Sequence, residues 1–391
     1  MKYNIVDFGA KPNSHDLQTH AVQAALDAAR NSQGGIVVVP AGDYTVSSLR
    51  MYSNTTLYLC SGAKILGSRE CGDYGLIEPP AGMELRTDIE MIPQYDSGSD
   101  HTHYRRAILS AYGEENISIV GQTDSMIDGQ DCFDPKGEEG FRGPHGIFLS
   151  NCRNVTLSNY TIQSTGNFMH QLDRCSNVTF ANVTMLAGHD GAHIHCCDNV
   201  LFAGCTIQSG DDCIAGIDTK NVTIRDCLLN TSCNSLRIGG VNLLVEDCRF
   251  VGPGIYPHRL SIPHGKDDKT PLSAGRHNTL FAFNYFCSKT YPPSSPACNW
   301  LIRRCTFENI DQFLCYFAND DANLHSGAPL IDIRMEDLEI TGLLPPCDIK
   351  ADPDHPLRIH QDHVSVRFRD GVPCEGRLFG SGCENVWITD C

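Results

Sequence analysis

Apolar positions along this chain come in short runs on a fixed beat. The tetrads Asn154-Val155-Thr156-Leu157, Asn177-Val178-Thr179-Phe180, Asn199-Val200-Leu201-Phe202 and Asn221-Val222-Thr223-Ile224 space their valines 23, 22 and 22 residues apart. A second run follows each: Tyr160-Thr161-Ile162, Val183-Thr184-Met185, Cys205-Thr206-Ile207, Cys227-Leu228-Leu229, then Cys248-Arg249-Phe250. The runs are β-branched and apolar, bounded by Asn, Asp, Gly and Ser, with no helical period between them, so each predicts a short strand. Strands repeating every 20 to 50 residues predict a solenoid, and several per repeat predict a parallel β-helix. The pattern returns at Arg304-Cys305-Thr306-Phe307 and Glu384-Asn385-Val386-Trp387-Ile388. Residues 1–391 therefore read as one elongated all-β domain. Thr19 to Arg30 is alanine-rich with apolar residues three and four apart, which predicts an amphipathic helix over about 16–30 that caps the first coil.

The same beat produces many Asn-x-Ser/Thr triplets, including Asn154, Asn177, Asn182 and Asn221. Glycans on every coil would prevent stacking, whereas Asn suits turn corners and Val and Thr suit strands, so these read as structural. Twenty cysteines invite a disulfide or zinc reading. Yet Cys152, Cys175, Cys197, Cys205, Cys227 and Cys248 follow the beat, and no Cys-x-x-Cys pair occurs, so they read as reduced interior thiols. With 20% charged and 41% hydrophobic residues the chain is globular. The opening Met1-Lys2-Tyr3-Asn4 has no apolar leader pattern and no run is long enough for a membrane span, so the expectation is a cytoplasmic protein with no membrane partner. A net charge of −17 argues against nucleic acid as a partner and slightly against a long polyanion.

The beat also gathers acids. Asp190 lies in His189-Asp190-Gly191, and Asp211-Asp212 follows 21 residues later in Ser209-Gly210-Asp211-Asp212-Cys213. One repeat apart means neighbouring coils, roughly 4.8 Å away. Crowded carboxylates cannot all stay ionised, so one should hold a proton, and glycosidic cleavage needs an acid together with a water-activating or attacking carboxylate. His193 and His195 alternate on one strand beside Asp190. With His189 they could ligate a metal, but sugar contacts are the preferred reading, and neither metal nor cofactor is expected.

The chain resembles glycoside hydrolase family 28, the polygalacturonase family of right-handed parallel β-helices. The resemblance runs from Ile5-Val6-Asp7-Phe8-Gly9-Ala10-Lys11 through Gly34-Gly35-Ile36-Val37-Val38-Val39-Pro40-Ala41-Gly42-Asp43-Tyr44 and Gly62-Ala63-Lys64-Ile65-Leu66-Gly67-Ser68 to about Arg249. Its most specific part is Gly210-Asp211-Asp212-Cys213-Ile214-Ala215, one coil after Asp190-Gly191. It implies that Asp211 is the general acid and that Asp190 and Asp212 hold and activate water for inversion. It also implies a right-handed coil.

The departures are specific. The family's Asn-Thr before the first aspartate is Gly188-His189 here, and Asn234 stands where its catalytic-site histidine would be. Its carboxylate-gripping Arg-x-Lys has no clean match; instead an irregular groove-side insertion, 253–278, holds His258, Arg259, His264, Lys266 and Arg276. His189, His193, Asn234, Arg237, His258, Arg259 and Arg276 are the candidate substrate contacts, with Tyr256 and Trp300 as stacking candidates. The expectation is an exo-acting, inverting glycoside hydrolase on a pectin-related or other plant or microbial oligosaccharide. A lyase or sugar transferase on the same fold, or a non-catalytic carbohydrate binder, are the alternatives.

Overall fold

A computed structural model describes residues 1–83, 105–262, 275–289, 293–344, 347–369 and 377–390. The valine beat becomes a column of stacked strands. Val155 pairs with Val178, Val178 with Val200, Val200 with Val222 and Val222 with Leu243, always in parallel. The second runs stack likewise, Ile162 on Met185, Ile207, Leu229, Phe250 and Phe307. A third column stacks Leu149, Leu172 and Ile194, and the three enclose one core. The chain is a right-handed parallel β-helix. Like side chains stack within the coil, as Phe180 on Phe202 with centroids 4.3 Å apart and Phe250 on Phe307 at 4.5 Å. Each such buried side chain contributes about 1.5–3 kcal/mol relative to exposure.

The Asn of each tetrad sits at a corner in the left-handed region: Asn154, Asn177, Asn199, Asn221 and Asn242 have φ between 53° and 59°. Among non-glycine residues, Asn tolerates that conformation best. The side-chain amides then form a ladder along the outside, Asn177 donating to Asn154 at 3.0 Å, Asn199 to Asn177 at 2.9 Å and Asn242 to Asn221 at 2.8 Å. Asn221 breaks the ladder once, donating to Asp198 at 2.7 Å instead. The repeated asparagines are thus explained by the corner itself.

The thiols form two interior files where a single set was anticipated. Cys152, Cys175 and Cys197 lead into the first strands, while Cys205, Cys227, Cys248 and Cys305 lead into the second. Thirteen of the 18 described cysteines are buried and all 18 are free, as small apolar fillers of a close-packed coil would be. The helix spans Thr19–Asn31 and covers the first coil with Val22, Ala25, Leu26 and Ala29. No described helix is long and apolar enough to cross a membrane. Trp300 belongs to the core, fully buried with its indole N–H donating 3.0 Å to Gly240 O, so it is no sugar platform.

One outward file prepares the functional face. Phe148, Gln171, His193, Ala215, Arg237 and Asn284 stack in register on the outer side of the third column. The described parts of 253–278 form a loop beside this face, without strands apart from a bridge between His258 and Arg276. Asn230 pins its start, donating to Val251 O and Pro253 O and accepting from Ile255 N–H. His264 and Lys266 lie outside the described residues.

Candidate active site

Asp190 and Asp211-Asp212 occupy the turns that lead into the strands Ala192–His195 and Ile214–Arg225. Consecutive turns touch through their backbones, Gly191 N–H donating 3.0 Å to Asp212 O. Gly210 is required by close approach: a Cβ there would lie 2.5 Å from Pro257 O and 2.6 Å from Gly188 O. From inside the coil, Tyr160 OH contacts His170 Nε2 at 2.8 Å and His170 Nδ1 holds Gly191 O at 3.0 Å. Burial lowers His170 to about 4, so this brace is neutral.

Asp190 and Asp212 are both buried, and each ends a chain of donors that starts at a backbone amide. Ile217 N–H donates 3.1 Å to His195 Nδ1, so His195 carries its proton on Nε2 and points it at His193 Nδ1, 3.0 Å away. His193 must then carry its own proton on Nε2, which it donates to Asp190 Oδ2. The second chain begins with Phe317 N–H donating 3.1 Å to His325 Nδ1. His325 Nε2–H then serves Asn284 Oδ1 at 2.8 Å, Asn284 Nδ2 donates 3.2 Å to Asn234 Oδ1, and Asn234 Nδ2 donates 2.6 Å to Asp212 Oδ1. Burial keeps His325 neutral, lowered to about 4. Every link is directional, so both carboxylates are held at fixed orientation.

The three acids carry unlike charge. Burial, with Asp211 and Asp212 adding repulsion against the attraction of His193, pushes Asp190 up to about 7. Burial and then Asp211 also raise Asp212, offset by Arg237 and Asn234. Asp211 is the opposite case. Burial would raise it, but His258 and then Arg142 outweigh that and hold it well below the usual carboxylate range. His258 Nε2 lies 3.6 Å and the Arg142 guanidinium 3.1 Å from Asp211 Oδ2. Arg142 is itself buried, bonded to Glu139 at 2.7 Å and to Asn167 Oδ1 at 3.3 Å, with its guanidinium 5.3 Å over the Phe168 ring. Phe168 stacks on His193 at 3.8 Å, so one sandwich joins the Asp211 and Asp190 partners.

The structure gathers nearly all of the anticipated residues. His189 is buried beside Phe141, kept neutral first by burial and then by Arg142, with Nε2 unpartnered. Arg237 lies next to Asp212, its guanidinium 4.4 Å over the Phe286 ring. Arg276 adjoins Cys233 and keeps a buried Nη1 without a partner. Arg259 pairs with Asp131 and also helps to lower His189. Asn234 does not replace the family's histidine in kind. It fixes Asp212, and the imidazole beside Asp211 comes from His258 on the loop.

Sequence reasoning missed Arg142, Asn284, His325 and Gln171. Gln171 is fully buried in the outward file, one coil from His193, with both ends of its amide unpartnered. Its place in the beat, on the file of His193, could have flagged it. Arg142 lies 69 residues from Asp211 in a stretch without the beat, and nothing local marks it.

Residues 80–232, which contain all three aspartates, match the family model of glycosyl hydrolases family 28, bearing out the resemblance. Residues 3–61 match a model described as rhamnogalacturonase A/epimerase, pectate lyase-like. A mannuronan C5-epimerase of Azotobacter vinelandii is 35% identical over 144 residues, 37% of this chain and 9% of that protein. A probable polygalacturonase of Vitis vinifera is 26% identical over 246 residues, 57% of this chain and 48% of the relative. The chain thus spans about a tenth of the first relative's length and about half of the second's. An exopolygalacturonase structure from Thermotoga maritima superposes with a TM-score of 0.69 at 15% identity, covering 99% of this chain and 91% of that one, and shares the fold.

Proposed function

We propose that this chain, a family 28-like parallel β-helix, is a glycoside hydrolase that trims pectin-related oligosaccharides from a chain end with inversion. The observation that carries this reading is the gathering of three carboxylates on adjacent turns, each with different partners, all within the stretch that matches the family model. Inverting hydrolysis uses carboxyl groups in two roles, one giving a proton to the leaving oxygen while others take one from water. Asp211 alone is a poor acid while Arg142 and His258 keep it ionised. The acid in this reading is Asp211 with His258 beside it, 3.6 Å away, and the proton passes through Asp211 to the glycosidic oxygen. Asp190 and Asp212, held by their donor chains, orient the water and accept its proton as it attacks the anomeric carbon.

Arg276, Arg237 and His189 provide the cationic and polar groups for a uronate carboxylate, and the Gln171 amide can both donate to and accept from sugar hydroxyls. The Arg259–Asp131 pair ties two loops over the groove, which favours a chain end over the middle of a polymer. The epimerase relative favours one second reading, proton abstraction from a uronate with elimination or epimerisation. Incubation with defined oligogalacturonides in ¹⁸O-water separates the two. Hydrolysis places one ¹⁸O at the new reducing end; an unsaturated, unlabelled product or an epimer would defeat the hydrolase reading.

A further inference from the structure

We infer that Asp211, Cys233 and His258 form a binding site for a borderline-soft divalent cation, zinc above all, that occupies the Asp211 carboxylate and switches the site off. The inhibitory consequence rests on the hydrolase reading; the binding does not. A carboxylate oxygen, an imidazole nitrogen and a thiol sulfur from these residues all lie within 4.8 Å of one another. Among the described residues no other set of three His, Cys, Asp or Glu donors converges in this way. The interior thiol files differ in kind: Cys175, Cys205 and Cys248 meet backbone carbonyls inside the coil.

The donor chemistry selects the ion. Thiolate and imidazole prefer zinc or cobalt to magnesium or calcium, and zinc commonly takes three protein ligands while leaving a fourth position for water. Tetrahedral zinc with bonds of about 2.0–2.3 Å wants its ligands about 3.5 Å apart, so the set must contract by roughly 1 Å. Two of the ligands sit on the helix body, and His258 sits on the irregular loop, which is where the movement falls.

The surrounding charge is nearly balanced: Asp190, Asp211, Asp212, Glu138 and Glu139 face Arg142, Arg237, Arg259 and Arg276. Arg142 need not leave, because Glu139 and Asn167 also hold it and Asp211 needs to offer only one oxygen. Cys233 must lose its proton to bind, and burial with Asp211 and Asp212 beside it keeps the thiol protonated otherwise. Binding therefore expels the Cys233 proton and ties up the Asp211 carboxylate, leaving no acid for the leaving oxygen.

The test titrates the metal-free full-length chain with cobalt(II), following the thiolate-to-metal charge-transfer band, and then competes with zinc. We expect one equivalent to bind, and the band to vanish in both Cys233→Ser and Cys233→Ala. Cys298→Ser, a partly exposed thiol elsewhere, should keep it. Saturating zinc should lower wild-type turnover at least about tenfold, reversibly with chelator, while either Cys233 variant keeps its turnover in zinc. Circular dichroism checks that the variants are folded. No band in the wild type, or a band that persists in the folded Cys233 variants, overturns the site. If the band behaves as expected but the metal-free chain hydrolyses no glycan, the metal site stands and the hydrolase reading falls. Zinc binding that leaves turnover unchanged overturns the switch.

Discussion

At the scale of single residues, the site works by giving three chemically identical side chains different surroundings. Asp211 meets a guanidinium and an imidazole that outweigh its burial, whereas at Asp190 and Asp212 burial wins over His193 and Arg237. Asp211→Asn should lower turnover at least about a hundredfold, the usual scale for losing general acid catalysis, and should also lower the melting temperature at neutral pH, because Arg142 loses a buried partner. His258→Gln should cost less, because Arg142 still holds the Asp211 carboxylate in place. Steady-state kinetics on the substrate found by the isotope experiment measure both.

Asp190 yields a prediction with a definite sign. Its carboxyl is raised to about 7, so the base form accumulates only as pH rises through that value. The acidic limb of kcat/KM should therefore bend near pH 7 and not near 4. Stability runs the other way: a raised carboxyl favours the fold fully below its ordinary pKa and loses that contribution as pH rises through about 7. Asp190→Asn should thus gain melting temperature relative to wild type above pH 7, with the difference fading toward pH 4. Thermal melts across that range giving a constant difference would show that Asp190 ionises normally.

At the scale of elements, each turn corner asks for a left-handed residue whose side chain also bridges to the next coil. Asn177, at φ 54°, meets both demands, bonding to Asn154 below and Asn199 above. Asn177→Ala should cost about 1–2 kcal/mol, combining the left-handed penalty with the lost amide bonds. Asn177→Gly should cost less, since glycine accepts the conformation and forfeits only the bonds. Chemical denaturation of the pair separates the two contributions, and equal losses would place the whole effect in the ladder.

At the scale of the molecule, the stacked coil makes a continuous groove and the loops decide how much of it a glycan can use. The Arg259–Asp131 pair ties the loop of 253–278 to the turn after Met126–Asp128, so on the proposed exo action Arg259→Ala should move the product pattern from single-residue release toward internal cuts. An unchanged pattern by mass spectrometry would mean that the exo character has another source. Long homogalacturonan should remain a poor substrate at low salt, because a chain of charge −17 repels a polyanion outside the site.

The repeat, the corner asparagines, the interior thiols and the gathering of Asp190 with Asp211-Asp212 were all legible in the chain. Each is a consequence of period: a coil of about 22 residues converts equal spacing into contact, and no distant information is needed. The helix over Thr19–Asn31 was legible for the same reason, its apolar residues marking one face. What the tertiary structure alone decided lies where the period fails. Arg142 and His258 reach Asp211 from irregular loops, and Phe317 and His325 reach Asp212 from later coils through Asn284 and Asn234. Those contacts depend on how loops of unequal length fold back over a groove, which local spacing does not encode. The protonation pattern follows from them, because the charge a buried carboxylate can bear is set by the groups that surround it in space.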